Sequence, residues 1–417
     1  TEITNNKKER REENMLEGVR VLSFTHYLQG PSAAQALADL GADVVKVESC
    51  IGAYERGWSG CNTYKNGVSV FYLMANRNQR GIALDLKSEE GRETIYTLVK
   101  DKGYNVILEN FRPGVMDKLG LGYDKLKEIN PSIIYCSCTG YGSSGPKVKM
   151  PGQDLLIQGM SGMAALAGPG DHPPMPTGTA LVDQHGAILA ALGVAAAVYD
   201  RSQTGKGHKI EASLLGSSLD LQIEPIGYYL NGGKLTERTD TGLSTRIHQS
   251  PYGIYRTKDK YITLSLTSFD NLKKAFSEGA LDGMTAQDQM DNRIEFDKIV
   301  CEEMKKRTTN EWMEIFESLG VWYSPVNEYE DVIRDEQVIY NQAFLTMEHP
   351  VAGTVKVLGH ANRYDGKAVP LRRLPPDLGE HTRELLEECG YTEEEIKRMA
   401  DEGKVVLNDA KGLEERK

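Results

Sequence analysis

Apolar and polar stretches succeed each other over the first 140 residues in a way that predicts strands and helices in turn. Residues 19–24 (VRVLSF) have the composition of a buried strand. Residues 30–41 (GPSAAQALADLG) have proline at their second position and end at glycine like a helix, and 42–48 (ADVVKVE) are again extended. Further strands are predicted at 81–86, 104–111 and 132–142, and further helices at 88–103 and 123–131. Strands alternating with helices favour a mostly parallel sheet covered on both faces, an α/β fold.

The pattern changes after about residue 220. Residues 248–266 (HQSPYGIYRTKDKYITLSL) predict two strands around a turn, and polar amphipathic helices follow to about 320, which indicates a smaller α+β domain. Near the end, 354–359 predict a strand, and Thr392 with Glu395 form a capping box at the start of a helix. We therefore predict a mobile tail over 1–15, a large domain from 16–220 with 345–417, and a small domain over 221–344.

Length and charge narrow the class of protein. A chain of 417 residues exceeds the size at which one hydrophobic core keeps growing, which supports two domains. A net charge of -11, from 60 acidic and 49 basic residues, repels nucleic acid and anionic membrane surfaces, so neither is an expected partner. An anionic ligand would need a local basic pocket.

The polar opening segment and the cysteine pattern predict a cytoplasmic protein. The opening segment TEITNNKKERREEN has no apolar stretch, and the longest apolar run, Gly186 to Tyr199, is shorter than a membrane span, so we expect a buried core helix there. The six cysteines include no C-x-x-C pair, which favours buried free thiols in a reducing compartment. No histidine pattern typical of a metal site is present, and we predict no metal.

One carboxylate stands out. Asp183 precedes the apolar run in LVDQHGAILAALG, where aspartate is a favoured helix N-cap, although Gly186 excludes a reciprocal capping box. A helix that is apolar all round must be buried, so its first turn would lie in a crevice. A poorly solvated carboxylate kept ionised by the helix dipole suits nucleophilic attack. Both interpretations, cap and nucleophile, fit the pattern.

Other polar groups follow predicted strands. Asn110, Arg112 and Lys118 come after a buried strand, where an α/β sheet binds anionic ligands, but composition alone favours a solvated loop for them and for Lys87. Gln153 and Asp154 lie in a glycine-rich segment, where Asp154 could simply cap the next helix. The first strand-helix turn, THYLQGP, lacks G-x-G-x-x-G and so disfavours a dinucleotide site.

A family resemblance covers residues from about 16 to 395. The motifs are LEGVRVLSFTHYLQGP, LGADVVKVE, ANRNQRGIALDLKSEEGR, ENFRPGVMDKLGLGYDKLKEINPSIIYCSCTGYGSSGP, PGQDLLIQGMSG, LVDQHGAILAALG, TGKGHKIEASLL and LGEHTRELLEECGY. In this order they resemble the class III CoA-transferase family, which includes formyl-CoA transferase, carnitine and bile-acid CoA-transferases and α-methylacyl-CoA racemase. The resemblance implies a Rossmann-like large domain built from both chain ends and a homodimer of two interlocked subunits.

The resemblance also implies a site. It makes Asp183 the nucleophile, which passes CoA from an acyl-CoA to a carboxylic acid through mixed anhydrides and an aspartyl-CoA thioester. CoA is thus a substrate, and no permanently bound cofactor is implied. The implied CoA contacts are His26, Leu28, Gln29, Leu84, Lys87, Asn110, Phe111, Arg112 and Lys118, and the implied substrate contacts are Gln153, Asp154 and Trp58.

Two departures from relatives refine this expectation. Racemases of the family have a histidine where this chain has Gln153, and glutamine cannot shuttle a proton. Oxalate-linked members have a glycine-only loop where this chain reads TDTGLSTRIHQSPYG, although ERGW around Trp58 is similar to that subgroup. We predict a cytoplasmic CoA-transferase; the alternatives are an acyl-CoA racemase and a catalytically silent CoA-binding protein in which Asp183 only caps a helix.

Overall fold

The structure, a computed structural model, describes residues 14–408. Most of the predicted tail 1–15 therefore lies outside the described residues. The described chain forms two compact units: the first comprises residues up to 157, 181–218 and 337 onward, and the second comprises 158–180 and 219–336. The segment 158–180 belongs to the second unit although it precedes residue 220.

The helices and strands follow the predicted succession. The strands β1 to β15 are Arg20–Phe24, Asp43–Glu48, Tyr64–Lys65, Val68–Ser69, Arg80–Ala83, Val106–Glu109, Ile134–Thr139, Lys209–Ser213, Gly253–Arg256, Tyr261–Ser265, Trp322–Pro325, Phe344–His349, Gly353–Leu358, Arg363–Tyr364 and Lys367–Ala368. The helices α1 to α17 are Gln29–Asp39, Val70–Met74, Glu89–Asp101, Val115–Lys118, Tyr123–Ile129, Asp154–Met160, Leu181–Thr204, Leu214–Asp220, Ile223–Leu230, Phe269–Ala275, Asp288–Asp291, Arg293–Met304, Thr309–Leu319, Tyr329–Val332, Glu336–Tyr340, Thr382–Cys389 and Glu393–Asp401. The capping box of Thr392 and Glu395 is confirmed at the start of α17.

Six parallel strands form the sheet of the first unit, in the order β5-β2-β1-β6-β7-β8. This confirms the predicted parallel α/β sheet; β8 is a strand that the sequence pattern did not indicate. The chain starts at β1 in the centre, builds outward through β2 and β5, and then returns to β6 on the other side of β1. Such a reversal opens a crevice at the carboxyl ends of the two central strands, where α/β proteins bind ligands.

Both faces of this sheet are buried. Leu22 and Phe24 of β1 face a core closed by α3, α5, α16 and α17, while Val21 faces a second core closed by α1 and α7. Successive strand residues point to opposite faces, so both sides of the sheet must be apolar, as the continuous runs of valine and isoleucine in the sequence indicate.

The apolar helix α7 is buried on one face only. It has 24 residues, and by length and composition it is apolar enough to cross a membrane. The buried face of α7 packs on α1 and the sheet and comprises Val182, Gly186, Ala187, Ala190, Val194 and Ala197. Its opposite face exposes Ile188 (56%), Leu192 (62%) and Tyr199 (71%). The predicted burial of this helix is therefore confirmed for one face and wrong for the opposite face.

The outer edge of the sheet, strand β5, is covered by the returning C-terminal part of the chain. The N–H of Gly81 donates to Nδ1 of His381 (3.2 Å), and the N–H of His381 donates to the carbonyl of Gly81 (3.1 Å). The N–H of Ala83 donates to the hydroxyl of Thr382 (3.0 Å), and its carbonyl accepts from the N–H of Val406 (3.2 Å). Backbone groups that an edge strand would otherwise present to other chains are thus paired.

The second unit has its own core. Strands β9, β10 and β11 form an antiparallel sheet, which confirms the two strands predicted within 248–266. Helices α10, α12 and α13 pack on it through a cluster that includes Tyr255, Phe296 and Trp312.

The cysteines are only partly as predicted. All six are free, and Cys136 and Cys138 are buried in β7. Cys61 is exposed, because it lies in the 3-10 turn Gly60–Asn62, none of whose residues is buried. The prediction of buried thiols is wrong for this residue.

Candidate active site

Two loops leave the sheet side by side where the strand order reverses. Strand β1 ends at Phe24 and the adjacent β6 ends opposite it at Glu109, so the loops after them are neighbours. The side chain of Asn110 spans the gap: its Oδ1 accepts from the N–H of His26 (2.8 Å), and its Nδ2 donates to the carbonyl of His26 (2.7 Å). The rings of His26 and Phe111 meet edge to face at 5.1 Å. Three of the predicted contact residues are therefore brought together.

Gln29 begins α1 just after the first loop and is 5% exposed. A Cβ added to Gly186 of α7 would lie 2.6 Å from Nε2 of Gln29, so the amide of Gln29 occupies the space that a side chain at 186 would fill. Gly186 follows Asp183 by three residues, which places both on the same side of the helix. Among the described residues Nε2 has no hydrogen-bond partner, so a buried amide donor lies beside the turn that carries Asp183.

Gly186→Ala tests this packing. Its methyl group would force the Gln29 amide away from α7, while alanine favours the helix itself by about 1 kcal/mol over glycine. We expect a fall of about tenfold or more in the rate of the CoA transfer that the resemblance implies, with a melting temperature near that of the parent protein. Gly193→Ala, whose Cβ would lie 3.2 Å from a methyl group of Ile210, is the control two helical turns further on. Equal rates for Gly186→Ala and Gly193→Ala would contradict a role for the packing of Gln29 on Gly186.

Asp154 holds the start of α7. Its Oδ2 accepts from the N–H of Val182 (2.7 Å) and from the N–H of Asp183 (3.1 Å). The backbone leading to Asp154 is drawn close to the end of β7, because a Cβ on Gly140 would lie only 2.7 Å from the Cα of Gly152. Both cap predictions are therefore wrong in detail. Asp183 lies inside the first turn of α7 and not before it. Asp154 is the first residue of α6, and its carboxylate accepts hydrogen bonds from the first turn of α7.

The environment of Asp183 disfavours its charge. Burial first, and then the nearby carboxylate of Asp154, raise the pKa of Asp183 to about 7. The prediction of a poorly solvated carboxylate agrees with this direction, whereas the expectation that the helix dipole keeps Asp183 ionised does not. The anion of Asp183 is weakly solvated and hence reactive.

The predicted basic contacts lie at the surface. Lys87, Arg112 and Lys118 are exposed, and Lys118 ends the short helix α4. Leu84 is wholly buried in the core of the first unit, so its side chain is not available to a ligand in this conformation. Leu28 is half-buried at the start of α1.

The predicted substrate contacts differ in exposure. Gln153 is exposed and Asp154 is half-buried. Trp58 is 42% exposed, and its ring meets that of Phe71 edge to face at 4.8 Å. Asp154 contacts the backbone of Asp183 directly, whereas the ring of Trp58 contacts another aromatic ring.

Sequence reasoning missed a buried ion pair behind the first loop. Nζ of Lys46 lies 3.1 Å from Oε1 of Glu55, and both side chains are fully buried. A signal was present, because Lys46 interrupts the valines of the strand DVVKVE, and a lysine buried in a central strand requires a partner. The position of Glu55, in the 3-10 turn Tyr54–Arg56, gave no such signal.

The first unit is thus an α/β structure in which the poorly solvated carboxylate of Asp183 lies near the reversal of strand order. In proteins of this class, ligands bind at the carboxyl ends of the central strands. The chain belongs to CoA-transferase family III, whose sequence profile matches residues 16–382. It is thus an enzyme of that class, and the resemblance seen in the sequence is confirmed.

Individual relatives agree with this assignment. The chain is 33% identical over 407 residues to a succinyl-CoA:glutarate CoA-transferase of Mus musculus, covering 95% of this chain and 91% of that one. It is 28% identical to a formyl-CoA:oxalate CoA-transferase of Streptomyces coelicolor, covering 93% and 98%. Among solved structures, a CaiB/BaiF family protein from Brucella suis matches with a TM-score of 0.78 at 29% identity, covering 90% of this chain and all of that one.

Proposed function

We propose that this CoA-transferase moves CoA between two carboxylic acids by covalent catalysis at Asp183. The observation that carries the proposal is the desolvated carboxylate of Asp183, with a pKa raised to about 7, in the first turn of α7. A carboxylate removed from water is a stronger nucleophile than a hydrated one. Asp154 and Gln29 position it: the first through two backbone hydrogen bonds, the second by packing on Gly186.

The proposed reaction has four acyl transfers. An Oδ atom of Asp183 attacks the thioester carbon of the donor, the C–S bond breaks, and CoA leaves as a thiolate. The thiolate then attacks the Asp183 carbonyl of the resulting anhydride and releases the donor acid. The acceptor carboxylate attacks the aspartyl-CoA thioester, again expelling thiolate, which finally attacks the acceptor acyl carbon and regenerates Asp183. No net proton is taken up or released.

The exposed cations suit the binding of CoA. The phosphates of CoA are anionic, and a protein of net charge -11 needs local positive groups to hold them. Lys87, Arg112 and Lys118 provide such groups on the surface of the first unit. His26 and Phe111 lie at the reversal of strand order, and we assign them to contacts with the part of CoA that lies nearer to Asp183.

We assign short dicarboxylic acids as donor and acceptor. The supporting observation is the similarity, over nearly the whole chain, to succinyl-CoA:glutarate CoA-transferases of Mus musculus (33% identity) and Homo sapiens (35%). A second carboxylate on the substrate gives an enzyme a strong handle for discrimination, since a polar group left unpaired in a site is costly.

Covalent trapping tests the mechanism. The protein is incubated with succinyl-CoA and other acyl-CoA donors and then treated with hydroxylamine, and the peptide containing Asp183 is analysed by mass spectrometry. We expect a hydroxamate at Asp183 that depends on the donor. Asp200 lies on the same helix outside the site and serves as the internal control. An unmodified Asp183 with every donor would overturn the proposal.

Racemisation is the alternative within this family, and the side chain at 153 argues against it. A racemase needs two groups that exchange a proton at the α-carbon, and Gln153 cannot take that part. Incubation with a 2-methylacyl-CoA in deuterated water distinguishes the two reactions, because a transferase leaves the α-hydrogen in place.

We further propose that the enzyme is an interlocked homodimer. The bulky residues Ile188, Leu192 and Tyr199 form an exposed apolar face on α7, and Leu155 of α6 is 62% exposed. Apolar surface of this kind on an α/β core helix is typical of an interface between subunits. A second copy of the chain is the occupant that the family resemblance implies.

Leu192→Lys tests this interface. A charge within an apolar contact costs several kcal/mol, so we expect a dimeric parent protein and a variant that is monomeric or fails to accumulate. Gln203→Lys, an exposed polar position near the end of α7, should remain dimeric. Light scattering gives the mass, and subunit exchange between two differently labelled samples tests the interlocking, since interlocked chains exchange only after unfolding. A monomeric parent protein contradicts the proposal.

A further inference from the structure

The loop formed by residues 25–28 has a backbone that its own sequence does not favour. Tyr27 has φ +62°, in the left-handed region where residues other than glycine are strained by about 1–2 kcal/mol. Such a conformation persists only where the surroundings hold it. The loop carries His26 and leads directly into Gln29, so its shape decides where both side chains lie.

Side chains from other elements hold three consecutive residues of this loop. Nζ of Lys46 donates to the carbonyl of Thr25 (3.0 Å). Asn110 binds both the N–H and the carbonyl of His26, and Oε2 of Glu55 accepts from the N–H of Tyr27 (3.2 Å). These three side chains come from strand β2, from the loop after β6 and from a 3-10 turn, so the loop is fixed from three directions.

The ion pair between Lys46 and Glu55 connects two of these supports. Lys46 has one donor on Glu55 and another on Thr25, while Glu55 has one oxygen on Lys46 and the other on Tyr27. Both side chains are 0% exposed, so neither charge has water as an alternative partner. Each group therefore holds the other in the position from which it binds the loop backbone.

We propose that Glu55, through its pairing with Lys46, is a positioning residue that holds the 25–28 loop in the conformation that binds CoA. The inference rests on the proposed function, because the ligand assigned to this loop is CoA. Glu55 does not touch the reacting atoms. Its effect is on the fraction of molecules whose loop is ready for the ligand, and the apparent dissociation constant rises in inverse proportion to that fraction.

The test measures CoA affinity by calorimetry in the full-length protein. Glu55→Gln retains an oxygen for the N–H of Tyr27 but removes the negative charge that Lys46 contacts directly. The double variant Lys46→Met/Glu55→Leu removes both charges, which often preserves stability, but leaves that N–H unpaired. We expect the dissociation constant for CoA to rise about tenfold in the single variant and by at least as much in the double variant.

Asp39→Asn is the matched control. Asp39 and Arg77 form another buried ion pair of the first unit, with Oδ2 and Nη2 2.5 Å apart, and the 25–28 loop is not among their partners. This variant should lose thermal stability and yet bind CoA within about twofold of the parent protein. A double variant that binds CoA as the parent does, or a control that loses as much affinity as Glu55→Gln, overturns the proposal.

A second readout is the titration of His26 by NMR with labelled histidine. Nδ1 of His26 lies 3.9 Å from Oε2 of Glu55; burial first and then Lys46 lower the pKa of His26, whereas Glu55 and Glu48 oppose that shift. Glu55→Gln should therefore lower the pKa further and Lys46→Met should raise it. Shifts of the same sign, or none, would show that the pair does not face the loop. The Asp183 adduct is scored separately, so failure of the mechanism and failure of this inference are distinguishable.

Discussion

Replacing Asp183 with asparagine is expected to lower the CoA-transfer rate by about 10⁴-fold or more, because the amide preserves shape but cannot form the anhydride or the thioester. Initial rates with a succinyl-CoA donor and a dicarboxylate acceptor measure the loss. CoA binding should be little changed, since the predicted CoA contacts lie elsewhere. A variant that retains more than a few per cent of the rate would show that Asp183 is not the nucleophile.

The same variant should be more stable than the parent protein at high pH. The pKa of Asp183 is raised from 3.8 to about 7, so the folded state binds this proton more tightly than the unfolded state. Stability is therefore lost as pH rises from about 4 to about 7, and the penalty is complete above that range. Asparagine carries no such penalty, and we expect a gain on the order of 2 kcal/mol at pH 8, after allowance for partial exposure.

Denaturant unfolding at several pH values checks this expectation. The difference in the free energy of unfolding between the variant and the parent should shrink toward zero as the pH falls to about 4. Asp200→Asn, at the far end of the same helix, is the control, because Asp200 pairs with His208 and its pKa is lowered by that hydrogen bond. Its replacement should not stabilise the protein at pH 8. A destabilised Asp183→Asn would contradict the desolvation argument.

Asp154→Asn should shift the pH dependence of the reaction. The new amide side chain keeps an oxygen for the first turn of α7, but the negative charge that raises the pKa of Asp183 is gone. The reacting form of Asp183 is the anion, so activity rises with pH through that pKa. In the variant this rise should occur at lower pH, while the weaker cap costs the helix about 1 kcal/mol.

Rates measured from pH 5 to 9 reveal the shift. Glu89→Gln removes an acidic residue from the first turn of α3 and should leave the profile in place. Asp154→Ala loses the cap oxygen as well as the charge, so we expect a larger loss of rate, of about 10²-fold, since misplacement of a reacting group by 1 Å has an effect of this size. An acid limb that is the same in Asp154→Asn and in the parent would show that the two carboxylates do not interact.

The α/β succession was predictable because strand and helix patterns are local. The runs VRVLSF and ADVVKVE are apolar on both faces of their strands, and the structure places them at the centre of a sheet covered on both sides. Strand β8 was missed because Lys209 and Glu211 give it the appearance of a polar segment. Its edge position in the sheet allows those charges to reach water.

The site was predictable only in part, because its supports are distant in sequence. The sequence pattern assigns a helix cap to the nearest polar residue, whereas the cap of α7 comes from Asp154, 29 residues before Asp183. The burial of α7 was predicted wrongly for one face because an apolar composition does not show which residues face the core. Small residues such as Gly186 and Ala190 are buried, and bulky ones such as Leu192 face outward.

The closure of β5 by the C-terminal part of the chain has a consequence for synthesis on the ribosome. The partners of Gly81 and Ala83 are His381, Thr382 and Val406, so the sheet edge stays open until roughly 300 further residues have been translated. Domains fold at the pace of translation, at roughly 5–20 residues per second. For tens of seconds the growing polypeptide thus lacks the residues that pair with the outer edge of β5.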